Sequence, residues 1–115
     1  MSLVSKPWGH EVIWSHTEKY VGKLLVINAG HKLSLQYHEV KDETIYVLEG
    51  TLSLHVGETE DTVEVVELKT GESYHITPGT IHRFEAKEPV TLIEVSTPEL
   101  DDVVRLRDDY GREGT

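Results

Sequence analysis

Apolar and polar positions alternate in short runs through most of the chain. Leu52, Leu54 and Val56 fall on one side of an extended segment, and Thr51, Ser53 and His55 fall on the other. Runs rich in Val, Ile, Leu, Thr and Tyr recur at 20–28, 33–38, 44–49, 51–56, 62–68, 73–77, 81–85 and 90–97. Gly22, Gly30, Gly50, Gly57, Gly71 and Gly79 punctuate them. No window keeps a helical period over three turns. Seven or eight short strands with regular turns predict an all-β sandwich or barrel. The stretch from Glu99 to Thr115 is charge-rich but carries Leu100, Val103, Val104, Leu106 and Tyr110, so part of it is expected to pack back on the barrel. Its last three residues are expected to fray.

The length of 115 residues predicts one domain spanning 1–115 and is enough for a core without crosslinks. There is no cysteine, so a metal would have to be held by nitrogen and oxygen. With 21 acidic and 11 basic residues the net charge is −10, which argues against non-specific nucleic-acid binding. Basic side chains gathered in a cleft could still hold one anion. No run approaches the roughly 20 apolar residues of a membrane span, and the opening residues lack a signal-peptide core. A soluble, cytoplasmic protein is expected.

Two segments concentrate polar side chains with metal-binding chemistry. In Leu33-Ser34-Leu35-Gln36-Tyr37-His38, Gln36 and His38 are two apart and share a strand face. Glu43 opens the next strand on the same face as Ile45 and Val47. In the second segment Pro78-Gly79 makes a turn, and His82 follows on a new strand beside Phe84. An amide, a carboxylate and two imidazoles on rigid strands suit a divalent ion: zinc first, with manganese, nickel or iron also compatible.

Together these segments resemble the cupin superfamily. Its first motif is matched by Gly30, Gln36-x-His38, Glu43 and Gly50, and its second by Gly71, Pro78-Gly79 and His82. Glutamine at position 36, where most cupins carry histidine, is similar to the mannose-6-phosphate isomerase type II family. That family's cupin forms the C-terminal domain of bifunctional guanylyltransferase/isomerases. The resemblance runs from Lys6-Pro7-Trp8-Gly9 through Gly79-Thr80-Ile81-His82-Arg83 to Asp108-Asp109-Tyr110-Gly111-Arg112. It implies a double-stranded β-helix, or jelly-roll barrel, with a short C-terminal tail packed on it. No glycine-rich phosphate loop of the nucleotidyltransferase kind opens these residues, so guanylyl transfer is not expected of them.

The resemblance also implies a small-molecule sugar or sugar phosphate as ligand. Its reaction would be isomerisation of mannose 6-phosphate to fructose 6-phosphate by metal-assisted proton transfer through an enediolate. Gln36, His38, Glu43 and His82 are the expected metal ligands. The sequence does not single out a base: His31, Lys32 and His75 are the candidates by chemistry. Arg83 and Arg112 are the candidates for holding phosphate, Arg112 if the tail folds over the barrel mouth. A non-catalytic metal-binding cupin and a redox cupin of the dioxygenase kind remain open beside the isomerase. Family resemblance further implies a homodimer, with Trp8, Val12, Ile13 and Trp14 near its interface. Alternatively, Trp8 and Trp14 cap one end of the barrel.

Overall fold

Strand alternation decides which side chains meet in the interior. In β6 (Glu43–Glu49), Glu43, Ile45 and Val47 are buried, while Tyr46 and Leu48 stay exposed. The same period of two operates in β3 (Val21–Ile27), β7 (Thr51–Gly57), β10 (Ile81–Ala86) and β11 (Val90–Ser96). The structure, a computed structural model, describes residues 2–112. Two antiparallel sheets enclose the core. One has the order β1-β2-β3-β11-β6-β9 and the other β12-β5-β10-β7-β8, with the two-residue β4 (His31–Lys32) also paired to β10. Ile27, Ile45, Val47, Leu52, Leu54, Ile76 and Leu92 are fully buried between them. The all-β, jelly-roll expectation holds.

Most expected strands appear within a residue or two of their limits, including β5 (Leu35–Tyr37), β8 (Glu64–Lys69) and β9 (Ser73–Ile76). Three departures matter for function. The opening residues form a hairpin of β1 (Ser2–Lys6) and β2 (Gly9–His16), turning at Pro7-Trp8. Alternation hid this hairpin because Lys6 and Glu11 occupy inward positions, where a strand usually carries apolar side chains. The tail does pack on the barrel, and it does so as a strand, β12 (Val104–Arg107), pairing with β5 in the register Arg105 opposite Gln36. Trp8 is a core residue at 3% exposure, so of the two N-terminal tryptophans only Trp14 is available to another molecule. The fraying expected of residues 113–115 lies outside the described residues.

Two glycines fix the turns that bring the polar segments together. Gly50 joins β6 to β7 at φ +95°, and a Cβ there would stand 2.6 Å from the Pro89 carbonyl oxygen. Gly79, at φ +83°, donates its N–H to the His38 carbonyl at 2.7 Å. That bond ties the turn before His82 to the end of the strand bearing His38.

Leu92 faces the core opposite Leu25 and Val47. Leu92→Ala should therefore lower the unfolding free energy by about 2–5 kcal/mol. Val65→Ala, at an exposed position, should change it by less than about 0.5 kcal/mol. Urea denaturation followed by circular dichroism measures both.

Candidate metal centre and its charged pocket

Three strands each deliver one donor to the same buried point. His38 follows β5, Glu43 opens β6 and His82 is the second residue of β10. Their exposures are 5%, 3% and 1%. Glu43 Oε1 lies 2.9 Å from His38 Nε2 and 3.3 Å from His82 Nε2, and all three donor atoms fall within 4.8 Å of one another. Gln36 sits directly opposite His82 in the β5–β10 pairing and lines the adjoining pocket, where its Oε1 accepts from the Ser34 hydroxyl at 3.2 Å. Register thus brings all four sequence candidates to one end of the barrel.

The backbone sets the tautomer of both imidazoles. His38 Nδ1–H donates to the Asp102 carbonyl at 2.5 Å, and His82 Nδ1–H donates to the Thr80 carbonyl at 2.9 Å. A neutral imidazole that donates from Nδ1 presents a lone pair at Nε2. Both lone pairs are aimed at the Glu43 carboxylate, and His82 Nε2 is buried without a hydrogen-bond partner among the described residues. Three acceptors crowded together out of water repel one another unless a cation lies between them. The donor set therefore fits a divalent ion of the zinc, manganese, nickel or iron kind, and the Nδ1-to-carbonyl bonds are the outer support such ligands use. Burial works to raise the Glu43 pKa, and the Lys41 ammonium 3.8 Å away works to lower it.

The tail is part of this support. Besides receiving the His38 proton at its carbonyl, Asp102 accepts the backbone N–H groups of Glu39, Val40 and Lys41 at 3.0, 2.8 and 2.8 Å. These bonds lower the Asp102 pKa and set the loop between His38 and Glu43.

Beside the donors lies a pocket rich in charge, much of it unexpected from the sequence. Lys41 and Glu94 are buried at 6% and 5% exposure, and Lys41 Nζ lies 3.2 Å from Glu94 Oε2 and 3.8 Å from Glu43 Oε2. Burial, reinforced by the neighbouring Glu43 charge, pushes the Glu94 carboxyl up to about 8. For Lys41, burial is outweighed by the carboxylates of Glu94 and Glu43, and its pKa is raised. Further along, Glu11 sits 3.5 Å from Lys23 and 4.0 Å from Lys6. Arg105 and Arg112 complete the lining from the tail. A usable signal was present: Lys23 lies between inward Val21 and Leu25, and Glu94 follows inward Val90 and Leu92. A charged residue on the apolar side of an alternating strand marks a polar cavity.

The other sequence candidates lie elsewhere. Arg112 lines the pocket, and its guanidinium pairs with Asp108 at 2.8 and 3.1 Å. Arg83 points to the other side of β10 and braces the tail, donating to the Leu33 carbonyl at 2.8 Å and reaching Asp109 at 3.5 Å. His31 Nδ1 lies 2.6 Å from the Tyr110 hydroxyl, and its neighbour Lys32 pairs in register with Glu85. His75 is on the exposed side of β9 with Asp42 at 2.6 Å. None of Arg83, His31, Lys32 and His75 is among the residues lining the pocket.

Comparison with known proteins agrees with this picture. The family model described as mannose-6-phosphate isomerase C-terminal matches residues 1–108. The XanB xanthan biosynthesis protein of Xanthomonas campestris pv. campestris is 34% identical over 95% of this chain, and the mannose-1-phosphate guanylyltransferase ManC of Salmonella typhimurium is 37% identical over 95%. The chain spans 23% of the length of each of these relatives. Among solved structures, an RmlC-like cupin from Shewanella frigidimarina NCIMB 400 superposes with a TM-score of 0.75 at 17% identity, covering 87% of this chain and 86% of that one. At that identity the likeness is one of fold.

A divalent ion at the three-donor point should stabilise the fold. At one hundred times its dissociation constant, zinc or manganese should add about 2.7 kcal/mol, or roughly 10 °C in melting temperature. Glu43→Gln should abolish most of the shift, and a chelator should reverse it in the parent protein. Differential scanning fluorimetry reads both.

Proposed function

Because the chain belongs to the mannose-6-phosphate isomerase C-terminal family, within the cupin superfamily, we propose that it is a metal-dependent sugar-phosphate isomerase interconverting mannose 6-phosphate and fructose 6-phosphate. The observation that carries this reading is the adjacency of three buried metal donors to a buried Lys41–Glu94 pair in one pocket. A donor cluster alone would suit storage or structure. A donor cluster beside a buried acid–base pair suits a reaction that moves a proton.

His38, Glu43 and His82, with Gln36 beside them, would hold one divalent ion, which supplies Lewis acidity toward the oxygens on C1 and C2 of the open-chain sugar. The Glu94 carboxylate takes the proton from C2 of the aldose, which leaves the negative charge of an enediolate on the C1 oxygen. The C2 hydroxyl proton then passes to the C1 oxygen, and Glu94 returns its proton to C1, which completes the ketose. Lys41 holds Glu94 in place through its ammonium group and offers positive charge to the oxyanion that develops. His31, Lys32 and His75 do not line the pocket, which favours Glu94 for this role, since the proton must be within hydrogen-bond reach of its acceptor. Arg112, with Lys6 and Lys23 on the same lining, supplies cationic donors for the phosphate. Arg83 contributes indirectly, by fastening the tail that carries Arg112.

A coupled assay on mannose 6-phosphate with zinc-, manganese-, nickel- or iron-loaded protein tests the reading. Turnover is expected with at least one ion, and Glu94→Gln should lower kcat by roughly a hundredfold or more while bound metal stays stoichiometric. A metal-loaded protein inert with every ion would remove the isomerase and leave a metal-binding cupin that holds a sugar without reaction. Oxygen uptake with ferrous iron would favour the dioxygenase reading instead.

A further inference from the structure

The chain that leads to His38 and Glu43 is thinly paired. β4 has two residues and β5 has three, and β10 holds both through the pairs His31–Ala86, Lys32–Glu85 and Gln36–His82. On its other side β5 meets the edge strand β12. Among the described residues the tail is therefore the support of this segment on that side. At the far end of the tail the Tyr110 hydroxyl lies 2.6 Å from His31 Nδ1. At the near end Asp102 touches the metal chemistry twice. Its carbonyl takes the His38 Nδ1 proton at 2.5 Å, which leaves the Nε2 lone pair for an ion. Its carboxylate spans three successive N–H groups, Oδ1 accepting from Glu39 and Oδ2 from Val40 and Lys41. These bonds close the loop between two of the three donors. They also fix the backbone of Lys41, whose ammonium lies 3.8 Å from Glu43 and 3.2 Å from Glu94.

We propose that Asp102 is a positioning residue that links docking of the tail to capture of the ion, each favouring the other by the same factor. The link acts in both directions. A docked tail keeps the His38 proton on Nδ1 and holds the 39–41 loop where His38 and Glu43 converge. With the tail undocked, the His38 ring is free to carry its proton on Nε2, the atom that faces Glu43, and there the proton competes with the ion. Conversely, a His38 ring that has given its Nε2 lone pair to a cation donates more strongly from Nδ1, which tightens its bond to the tail. The tail also supplies Leu100, Val103, Arg105 and Arg112 to the pocket wall. Capture of the ion and completion of the pocket thus become one event. The link rests on the metal centre of the proposed isomerase and not on the isomerisation itself.

Calorimetric titration with zinc or manganese tests the link on the 115-residue chain, together with amide hydrogen exchange read by mass spectrometry with and without the ion. In the parent protein, saturating ion should slow exchange across 103–107 at least about tenfold, although the donors lie in other segments. Asp102→Ala should raise the dissociation constant of the ion about 10–100-fold and remove most of that added protection. Asp102→Asn keeps one acceptor oxygen for the loop, so its loss should be smaller. Asp101→Ala removes the same charge from the adjacent exposed position and should change the constant less than about threefold. Circular dichroism checks that all three variants fold. A parent that binds the ion no more tightly than Asp102→Ala would overturn the link and leave the metal centre standing. An equal loss in Asp101→Ala, or tail exchange indifferent to bound ion, would overturn it as well. A parent that binds no ion would overturn the link and the metal centre together.

Discussion

The mutual repulsion of three buried acceptors is the constraint around which this barrel is organised. Glu43 has its carboxylate out of water, and the two imidazoles facing it have committed their Nδ1 protons to backbone carbonyls. The arrangement has too many lone pairs and too few protons, and a divalent cation would resolve it. Much of the surrounding structure serves to keep those acceptors converged. The Gly79 N–H bond to His38, the Asp102 clamp on the 39–41 loop and the strand pairing of Gln36 with His82 all act on the same few atoms.

The distribution of charge follows from the same centre. The protein is acidic overall, yet Lys6, Lys23, Lys41, Arg105 and Arg112 line one pocket together with Glu11, Glu43 and Glu94. Burying so many charged groups is tolerable only when they are paired, and the Lys41–Glu94 and Lys23–Glu11 contacts provide that pairing. Such a lining would suit a polar ligand. The tail closes the arrangement: β12 brings Arg105 opposite Gln36, and the Arg112–Asp108 contact fixes the final turn beside the pocket.

Much of this was legible in the residues themselves. Alternation located the central strands, because Ile45, Val47, Leu52, Leu54 and Leu92 obey the period of two without exception. The spacing of His38, Glu43 and His82 anticipated that they would converge, because glycine and proline turns fix where those strands begin. The N-terminal hairpin and β12 were hidden for one shared reason. Their inward positions hold Lys6, Glu11 and Arg105, and a pattern search that expects apolar side chains inside reads such strands as loop. Glu94 and Lys41 were missed as chemistry because neither lies in a motif; only the pairing of β11 with β6 brings Glu94 to Glu43. His75 illustrates the converse. Its chemistry suits a base, but its parity on β9 turns it outward to Asp42.

The most direct test of the account is a crystal structure of the protein soaked with zinc or manganese, with anomalous scattering collected at the metal's absorption edge. The account predicts one strong peak per chain, bonded to His38 Nε2, Glu43 and His82 Nε2, with Gln36 beside it. A peak bound elsewhere, or none at saturating metal with His82 Nε2 satisfied by a protein hydrogen bond, would contradict it.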